Sequence, residues 1–264
     1  MNSDPMRPRA KADSMLTTSR GLEVLRAFRS ERDALGNAEL VRRTSISKAA
    51  VSRITSTLLT LGFLTRVPGA RQFQLGVRPL SIGQAYLETS PISRVARPLM
   101  QSLADELNVS TALAIANGVD MLYLAYCKGS NISTLRLGVG SLLPIAVTSL
   151  GRAYLWGLDE ISRNTLLGEI ARQAGHACSQ KGIYDAFEDL QTLGYCMSVV
   201  EYQPDAFGVA VPVRLGTGNT LMALNAGAIF QGVDLQFLHE VIGPRLKLVA
   251  AKLELAMAQI DCEP

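Results

Sequence analysis

The N-terminal part of the chain contains a helical pattern that ends at a glycine and leads directly into two short strands. No other feature restricts the fold more. The last helical segment has apolar residues three or four positions apart, at Val51, Ile54, Leu58 and Leu61. Ser47 is a favourable N-cap for this helix, and Gly62 can adopt the left-handed conformation that ends it. Alternating apolar and polar residues on both sides of Pro68-Gly69 then predict a β-hairpin.

Two shorter helical segments precede this helix. One follows residues 17–19, any of which can act as its N-cap, and the other follows Asn37. We expect Arg42 and Arg43 of the second segment to remain in solvent. Three helices followed by a two-stranded ribbon predict a winged helix-turn-helix.

The pattern along the whole chain predicts an α+β protein with two folded domains. We expect a disordered basic arm at residues 1–14, the winged helix-turn-helix at residues 15–78 and a linker helix at residues 79–92. Residues 93–264 form the second domain, in which hairpin-forming strands and the helices between them indicate an antiparallel sheet. Residues 132–138 are expected to add a strand to it.

Charge is divided unevenly between the two parts. Residues 1–80 carry 14 Lys+Arg against 6 Asp+Glu, a net charge of +8, whereas residues 81–264 carry 12 against 17, a net charge of −5. The basic part suits an anionic polymer such as DNA. The sequence shows neither an apolar run of about 18 residues nor a secretory h-region, so we expect no membrane partner and a cytoplasmic location.

The exposed face of the helix after Ser47 is the candidate recognition surface. An α-helix fits the major groove of DNA, and its N-terminal residues reach the base edges. We expect DNA contacts from Ser47, Lys48, Ala49, Ser52 and Arg53 of the helix, and from Arg66 and Arg71 of the hairpin. The alternative is that these residues form the solvated polar face of an ordinary helical subdomain.

Sequence motifs for catalysis and metal binding are missing. His176 and His239 lack the spaced partners of a metal site, there is no G-x-S-x-G motif, and the four cysteines form no C-x-x-C pair. Glu201 and Asp205, around Pro204, are interpreted as a solvated carboxylate pair. We therefore expect no cofactor, no metal and no catalytic residues. The alternative is a small-molecule-metabolising enzyme with a basic N-terminal docking domain.

The first domain resembles the DNA-binding domain of the IclR family of bacterial transcriptional regulators, in RGLEVLRAF, LGNAELVRRTSISKAAVSRITSTLLTLGFLTR and RQFQLGVRPLSIG. The second domain continues the resemblance in LLPIAVTSLGRAYL, LGYCMSVVEY and FGVAVPV. The resemblance implies a GAF-like effector-binding domain, a homodimer or homotetramer, and double-stranded operator DNA as a partner. It also implies control of an operon for the breakdown of small organic or aromatic acids.

The resemblance implies an effector pocket beside the sheet. Carried over by motif, its lining consists of Ser149, Leu150, Ser198, Phe207, Gly208, Asn225 and Gly227. Gly208 and Gly227 are expected to leave space, which favours a larger, ring-bearing acid over one of glyoxylate or pyruvate size. Ser149, Ser198 and Asn225 would orient its polar end. The alternative is that these residues only satisfy strand ends and tight turns.

Overall fold

The computed structural model describes residues 15–28, 34–130, 132, 137–174, 180–216, 218–229 and 234–260 of the chain. It divides into two compact units, Met1–Thr89 and Ser90–Pro264. The expected arm at residues 1–14 and most of the expected strand at residues 132–138 lie outside the described residues. Within the described ranges, none of the helices combines the length and hydropathy needed to cross a membrane.

The first unit is a winged helix-turn-helix. Its elements are α1 (Leu16–Arg26), β1 (Leu35–Gly36), α2 (Asn37–Thr44), α3 (Lys48–Thr60), β2 (Leu64–Arg66), β3 (Gln72–Leu75) and α4 (Arg78–Thr89). The strands form an antiparallel sheet in the order β1-β3-β2. The predicted helices and ribbon are confirmed. The additional strand β1 has only two residues and is too short to show an alternating pattern.

Local capping sets the two ends of α3. Ser47 caps α3 as predicted, because its Oγ accepts a hydrogen bond from Ala50 N at 3.4 Å. Gly62 follows the helix with a left-handed φ of 72°. The caps predicted for the other two helices are wrong: α1 begins at Leu16 without a side-chain cap, and Asn37 lies inside α2 with Gly36 at the N-cap.

The inward face of α3 differs from its prediction at one position. Leu61 is 47% exposed, whereas Thr55 is 2% exposed and occupies the inward position. Thr55 is accommodated because its Oγ1 donates a hydrogen bond to Val51 O at 3.0 Å. The core of this unit is completed by Val24, Ala27, Leu35, Leu40, Ile46, Val51, Leu58, Leu64 and Phe73.

Glu39 forms hydrogen bonds with two arginines of α2 and holds Arg43 in a partly buried position. Arg42 Nε and Arg43 Nε donate hydrogen bonds to the Glu39 carboxylate at 2.9 and 2.7 Å. Arg43 Nη1 also donates to Ala27 O at 2.8 Å, which links α2 to the end of α1. The prediction that both arginines stay in solvent therefore holds for Arg42 and is wrong for Arg43.

The second unit is an antiparallel α+β domain, as predicted. Its elements are α5 (Pro91–Leu107), β4 (Ser110–Asn117), β5 (Asp120–Lys128), β6 (Leu142–Pro144), α6 (Ser149–Gly157), α7 (Glu160–Ala174), α8 (Gln180–Thr192), β7 (Cys196–Val199), β8 (Ala206–Leu215), β9 (Thr220–Ile229), α9 (Leu235–Phe237) and α10 (Gly243–Ile260). A π-helical turn, Leu238–Ile242, joins α9 to α10. The sheet has the order β6-β5-β4-β9-β8-β7, and helices cover both faces.

The sheet separates two apolar clusters. Residues of α5 and α10, such as Met100 and Leu253, pack against one face, and residues of α6 and α8, such as Leu155 and Ile183, pack against the other. We call these the α5/α10 face and the α6 face. Because side chains alternate along a strand, β4, β5, β7, β8 and β9 each contribute to both clusters.

A β-bulge in β5 changes this alternation. The pairing register between β4 and β5 shifts between Leu113 and Ala114, so Leu124 is an extra residue on β5. In a regular strand, residues three apart point to opposite faces. Because of the bulge, Tyr123 and Tyr126 both pack on the α6 face.

Candidate functional site: the cavity of the second unit

A cavity lies between the N-terminal end of α6 and the sheet. It holds about 580 Å³ of space, counting its opening to solvent. Every residue predicted to line the effector pocket surrounds it, namely Ser149, Leu150, Ser198, Phe207, Gly208, Asn225 and Gly227. The remaining lining consists of Ser110, Tyr123, Tyr126, Leu137, Leu143, Thr148, Tyr202, Ala206 and Ala228.

The floor of the cavity is a row of small residues on four neighbouring strands. Ser198 on β7 lies opposite Gly208 on β8, Gly208 opposite Gly227 on β9, and Gly227 opposite Ser110 on β4. No side chain in this row is larger than a hydroxymethyl group. The row therefore gives the cavity a flat floor without large side chains.

The two glycines lie in different surroundings, and the expectation that they leave space for a ligand is wrong. A Cβ atom on Gly208 would lie 2.7 Å from Ser149 Oγ and 3.7 Å from Asn225 Nδ2, so the place of a side chain there is already taken by the Ser149 hydroxyl. A Cβ atom on Gly227 would lie 2.5 Å from the backbone oxygen of Phe207. Gly227 therefore permits a close backbone approach and does not enlarge the cavity.

Phe207 lines the cavity, but its aromatic ring points away from it. Along β8, Gly208 and Ala210 belong to the α6 face, whereas the ring of Phe207 packs against the cluster on the α5/α10 face. The ring is therefore not available for stacking on a ligand in the cavity.

The polar end of the cavity is the start of α6. Thr148 caps the helix, because its Oγ1 accepts a hydrogen bond from Gly151 N at 3.2 Å, and Ser149 is the first helical residue. The positive end of a helix dipole and free backbone N–H groups at this point favour an anion. None of the described residues that line the cavity is charged.

Side chains at the cavity also hold its walls together. Ser198 Oγ donates to Val147 O at 3.2 Å, and Cys196 Sγ donates to Ser149 O at 3.3 Å, so β7 is joined to the segment that enters α6. The Ser198 hydroxyl hydrogen is therefore already used in this structural bond. Its oxygen can still accept a hydrogen bond from a ligand, as the prediction that Ser198 orients the ligand requires.

A buried arginine connects α6 to the loop between β7 and β8. Arg152 is 1% exposed, and its Nη1 and Nη2 donate to Glu201 Oε1 and Oε2 at 2.8 and 2.5 Å. Its Nε donates to Ala146 O at 3.1 Å. Glu201 and Asp205 are both exposed, as interpreted, but Glu201 pairs with Arg152 and is more than a solvated carboxylate.

Three tyrosines of the cavity were not predicted. The rings of Tyr123 and Tyr126 stack with centroids 6.2 Å apart and planes inclined by 19°. Burial raises the pKa of Tyr123, with further contributions from Tyr126 and Tyr202, while a hydrogen bond with the Asn225 side chain lowers it. The hydroxyl of Tyr123 therefore stays protonated at neutral pH.

The described histidine and cysteines lie in surroundings that indicate a structural role. The ring nitrogen Nδ1 of His239 lies 3.1 Å from Tyr195 Oη. Cys127 and Cys196 are buried, free thiols, and burial raises the pKa of both. His176 and Cys178 lie outside the described residues. Within the described ranges, no three His, Cys, Asp or Glu side chains converge as metal ligands would.

The predicted DNA-contact residues lie on the surface of the first unit. Ser47, Lys48, Ala49, Ser52 and Arg53 are exposed around the N-terminal half of α3. Arg66 and Arg71 are exposed in the ribbon, and the guanidinium carbon of Arg66 lies 5.5 Å from the centre of the Phe73 ring. The start of α3 and the wing thus both present cations, as a DNA-binding surface requires.

Both units match models of one protein family. Residues 17–68 match the IclR helix-turn-helix domain, and residues 84–236 match the bacterial transcriptional regulator IclR C-terminal domain. The Pca regulon regulatory protein of Pseudomonas putida is 31% identical to this chain over 217 residues, which cover 81% of this chain and 74% of the relative.

Solved structures agree with this assignment. An IclR family transcriptional regulator from Brucella abortus is 33% identical, with a TM-score of 0.85 and coverage of 95% of this chain and 96% of that one. An IclR homolog from Microbacterium hydrocarbonoxydans, complexed with 4-hydroxybenzoate, has the same fold. Its identity is 21% and its TM-score 0.69, with coverage of 92% of this chain and 99% of that one. The chain belongs to the IclR family of bacterial transcriptional regulators.

Proposed function

We propose that this regulator binds operator DNA through paired winged helices. When a ring-bearing organic acid occupies the cavity of the second unit, the protein either dissociates from the operator or changes the arrangement of its subunits on it. The observation that carries the proposal is the cavity itself. It combines an uncharged lining, tyrosine walls, and the N-terminal end of α6 as a site for a carboxylate.

The lining of the cavity supports a ring acid over a two- or three-carbon acid. The rings of Tyr123 and Tyr126 offer apolar surface on which a ring can pack. The 4-hydroxybenzoate held by the relative from Microbacterium hydrocarbonoxydans supports the same class of ligand.

The DNA contacts are assigned to Ser47, Lys48, Ala49, Ser52 and Arg53 on α3, and to Arg66 and Arg71 on the wing. Lysine and arginine in this arrangement hold phosphates, and the first turns of α3 approach base edges. Binding should weaken steeply as salt rises, because cations are released from the DNA when protein charges replace them. This role places the protein in the cytoplasm with its operator.

The exposed apolar surface of α4 favours a second copy of the chain as a partner. None of its residues is buried, and Leu80, Ile82 and Tyr86 expose apolar side chains, as does Val77 just before it. An apolar surface of this kind is normally covered by a partner, and a two-fold symmetric homo-oligomer would suit a palindromic operator. Sedimentation of the full chain at micromolar concentration would give the number of subunits.

Regulation would follow from a difference in ligand affinity between two arrangements of the subunits. A ligand that binds one arrangement more tightly increases its population, and operator affinity changes by the same coupling free energy. No chemical step on the ligand is needed.

A gel-shift with DNA from upstream of the protein's own gene, with and without 4-hydroxybenzoate, tests the proposal. We expect a retarded complex whose midpoint moves when the acid is added, and calorimetry should show the acid binding to the protein alone. Pyruvate is the matched short acid and should have little effect. A protein that ignored DNA and consumed the acid would instead support the alternative of an enzyme with a docking domain.

A further inference from the structure

Tyr126 has a buried hydroxyl group that finds no hydrogen-bond partner among the described residues. Its side chain lines the cavity, next to the ring of Tyr123. Buried polar groups are nearly always paired, so an unpaired one at a cavity wall calls for an explanation. A group supplied by a ligand is one such explanation, and the surroundings of Tyr126 favour it.

The other hydroxyl groups of the cavity floor differ from Tyr126. Ser198 Oγ donates to Val147 O at 3.2 Å, and Ser110 Oγ donates to Gly227 O at 2.6 Å. These bonds hold the walls in place without a ligand, whereas the hydroxyl of Tyr126 does nothing for the fold that a phenylalanine could not do.

The β-bulge is what brings Tyr126 to the cavity. If the same sequence formed a regular strand without the bulge, Tyr126 would point to the α5/α10 face while Tyr123 stayed on the α6 face. Bulges often redirect a side chain next to a functional site. Here the bulge provides the cavity with a second tyrosine at the price of an unpaired hydroxyl.

Tyr126 and the start of α6 lie at different ends of the cavity. Ser149 stands over β8, since a Cβ atom at Gly208 would lie 2.7 Å from its Oγ. Tyr126 belongs to β5, which is separated from β8 by β4 and β9. The strand axes are therefore three spacings, or about 14 Å, apart. Between them, Asn225 and Tyr126 both lie opposite the small residue Ala112, so no bulky floor residue separates the two ends.

We propose that the Tyr126 hydroxyl is a specificity-determining group, which pairs with a second polar substituent on the effector, on the side of its ring away from the carboxylate. The carboxylate lies at the start of α6, where the helix dipole favours negative charge. The preferred effector is then a ring acid with a hydroxyl or another hydrogen-bonding substituent, and the unsubstituted ring acid binds more weakly. This inference rests on the proposed function, because it assumes that the cavity holds a ring acid.

Calorimetric titration of the full chain with benzoate, 3-hydroxybenzoate and 4-hydroxybenzoate tests it. We expect the wild-type protein to bind one of the hydroxylated acids at least about tenfold more tightly than benzoate, because benzoate leaves the Tyr126 hydroxyl unpaired. Tyr126→Phe should remove most of this preference by weakening the hydroxylated acid, with benzoate affinity changed by less than about twofold. Tyr184→Phe, which removes a hydroxyl from an exposed residue of α8 outside the cavity, should keep the wild-type preference.

The outcomes separate this inference from the proposed function. Equal binding of all three acids by the wild-type protein would overturn the inference without any variant, and so would a Tyr126→Phe protein that kept its preference or weakened every acid equally. In those cases the ring acid still binds, and the proposed function stands. If none of the acids bound while the protein still shifted its operator DNA, both the inference and the proposed class of effector would be lost. Thermal unfolding of Tyr126→Phe without ligand checks its fold, and its melting temperature should not fall.

Discussion

Arg152 Nη1 donates a hydrogen bond to Glu201 Oε1 at 2.8 Å from a side chain that is almost completely buried. Arg152 is in α6, and Glu201 is in the loop that also carries Tyr202 to the cavity. The Nε of the same arginine donates to Ala146 O, two residues before the cap of α6. One guanidinium therefore positions two walls of the cavity relative to each other.

Glu201→Gln should destabilise the second unit, because it leaves a buried guanidinium without its counter-charge. Glu201 is about one-third exposed, so solvent relieves part of the cost, and we expect a loss of about 1–3 kcal/mol in the free energy of unfolding. Urea denaturation measures it. Glu106→Gln, which breaks the exposed ion pair between Glu106 and Arg245, is the control and should cost less than about 1 kcal/mol. Equal losses for the two variants would show that the buried Arg152 ion pair stabilises the protein no more than the exposed one.

Gly208→Ala should weaken effector binding by displacing Ser149. The added methyl carbon would lie 2.7 Å from Ser149 Oγ, so the first residue of α6 must shift at the end of the cavity where the carboxylate is proposed to sit. We expect at least about a tenfold weaker Kd for the acid by calorimetry. Gly168→Ala is the matched control, since a Cβ atom there meets nothing within 4 Å, and Ala is the better helix former in α7. Unchanged acid affinity in Gly208→Ala would remove this end of the cavity from the binding site.

Glu39 should make the stability of the first unit sensitive to acid. Hydrogen bonds from Arg42 and then Arg43 lower the pKa of Glu39 from 4.5 to about 2. A depressed pKa in the folded state means that the stabilisation is fully present above the unfolded pKa and is lost as the pH falls from about 4.5 towards about 2. Urea denaturation at a series of pH values should show this loss in the wild-type protein. The difference between the wild-type protein and Glu39→Gln should shrink across the same range, and a constant difference would contradict the assignment.

Local patterns allowed much of this fold to be predicted from sequence. The helix that Ser47 caps, the ribbon after Gly62, and the β4–β5 hairpin with its two-residue turn at Gly118-Val119 each depend on residues close in the chain. Motifs carried over from the family also named cavity residues from four separate elements. The family motifs could do this because fold and motif order are shared, even though the orientation of Phe207 could not be read from them.

The rest depended on contacts between distant parts of the chain. Arg152 and Glu201 are 49 residues apart, and nothing in one sequence indicates that they pair. Tyr126 reaches the cavity only because of a bulge, and a pattern of period two places it on the wrong face. The role of Gly227 depends on the backbone of the neighbouring strand at Phe207.

Arg53→Ala tests the assignment of α3 as the recognition helix. Arg53 is exposed in the second turn of the helix, where a side chain can reach a guanine or a phosphate. If Arg53 reads a base, the variant should lose about 1–3 kcal/mol of operator binding and tolerate substitutions at one base pair. If it holds a phosphate, binding should fall on all sequences, and the slope of log K against log salt should decrease by about one.

Quantitative gel-shifts at several salt concentrations, on the operator and on single-base variants, distinguish these outcomes. Arg172→Ala removes an exposed arginine from α7 of the other unit and is the control for net charge. The acid should still bind to Arg53→Ala in calorimetry, because the cavity belongs to the second unit. Operator affinity and salt slope that matched those of Arg172→Ala would exclude Arg53 from the DNA interface, since the loss of one positive charge would then explain the whole effect.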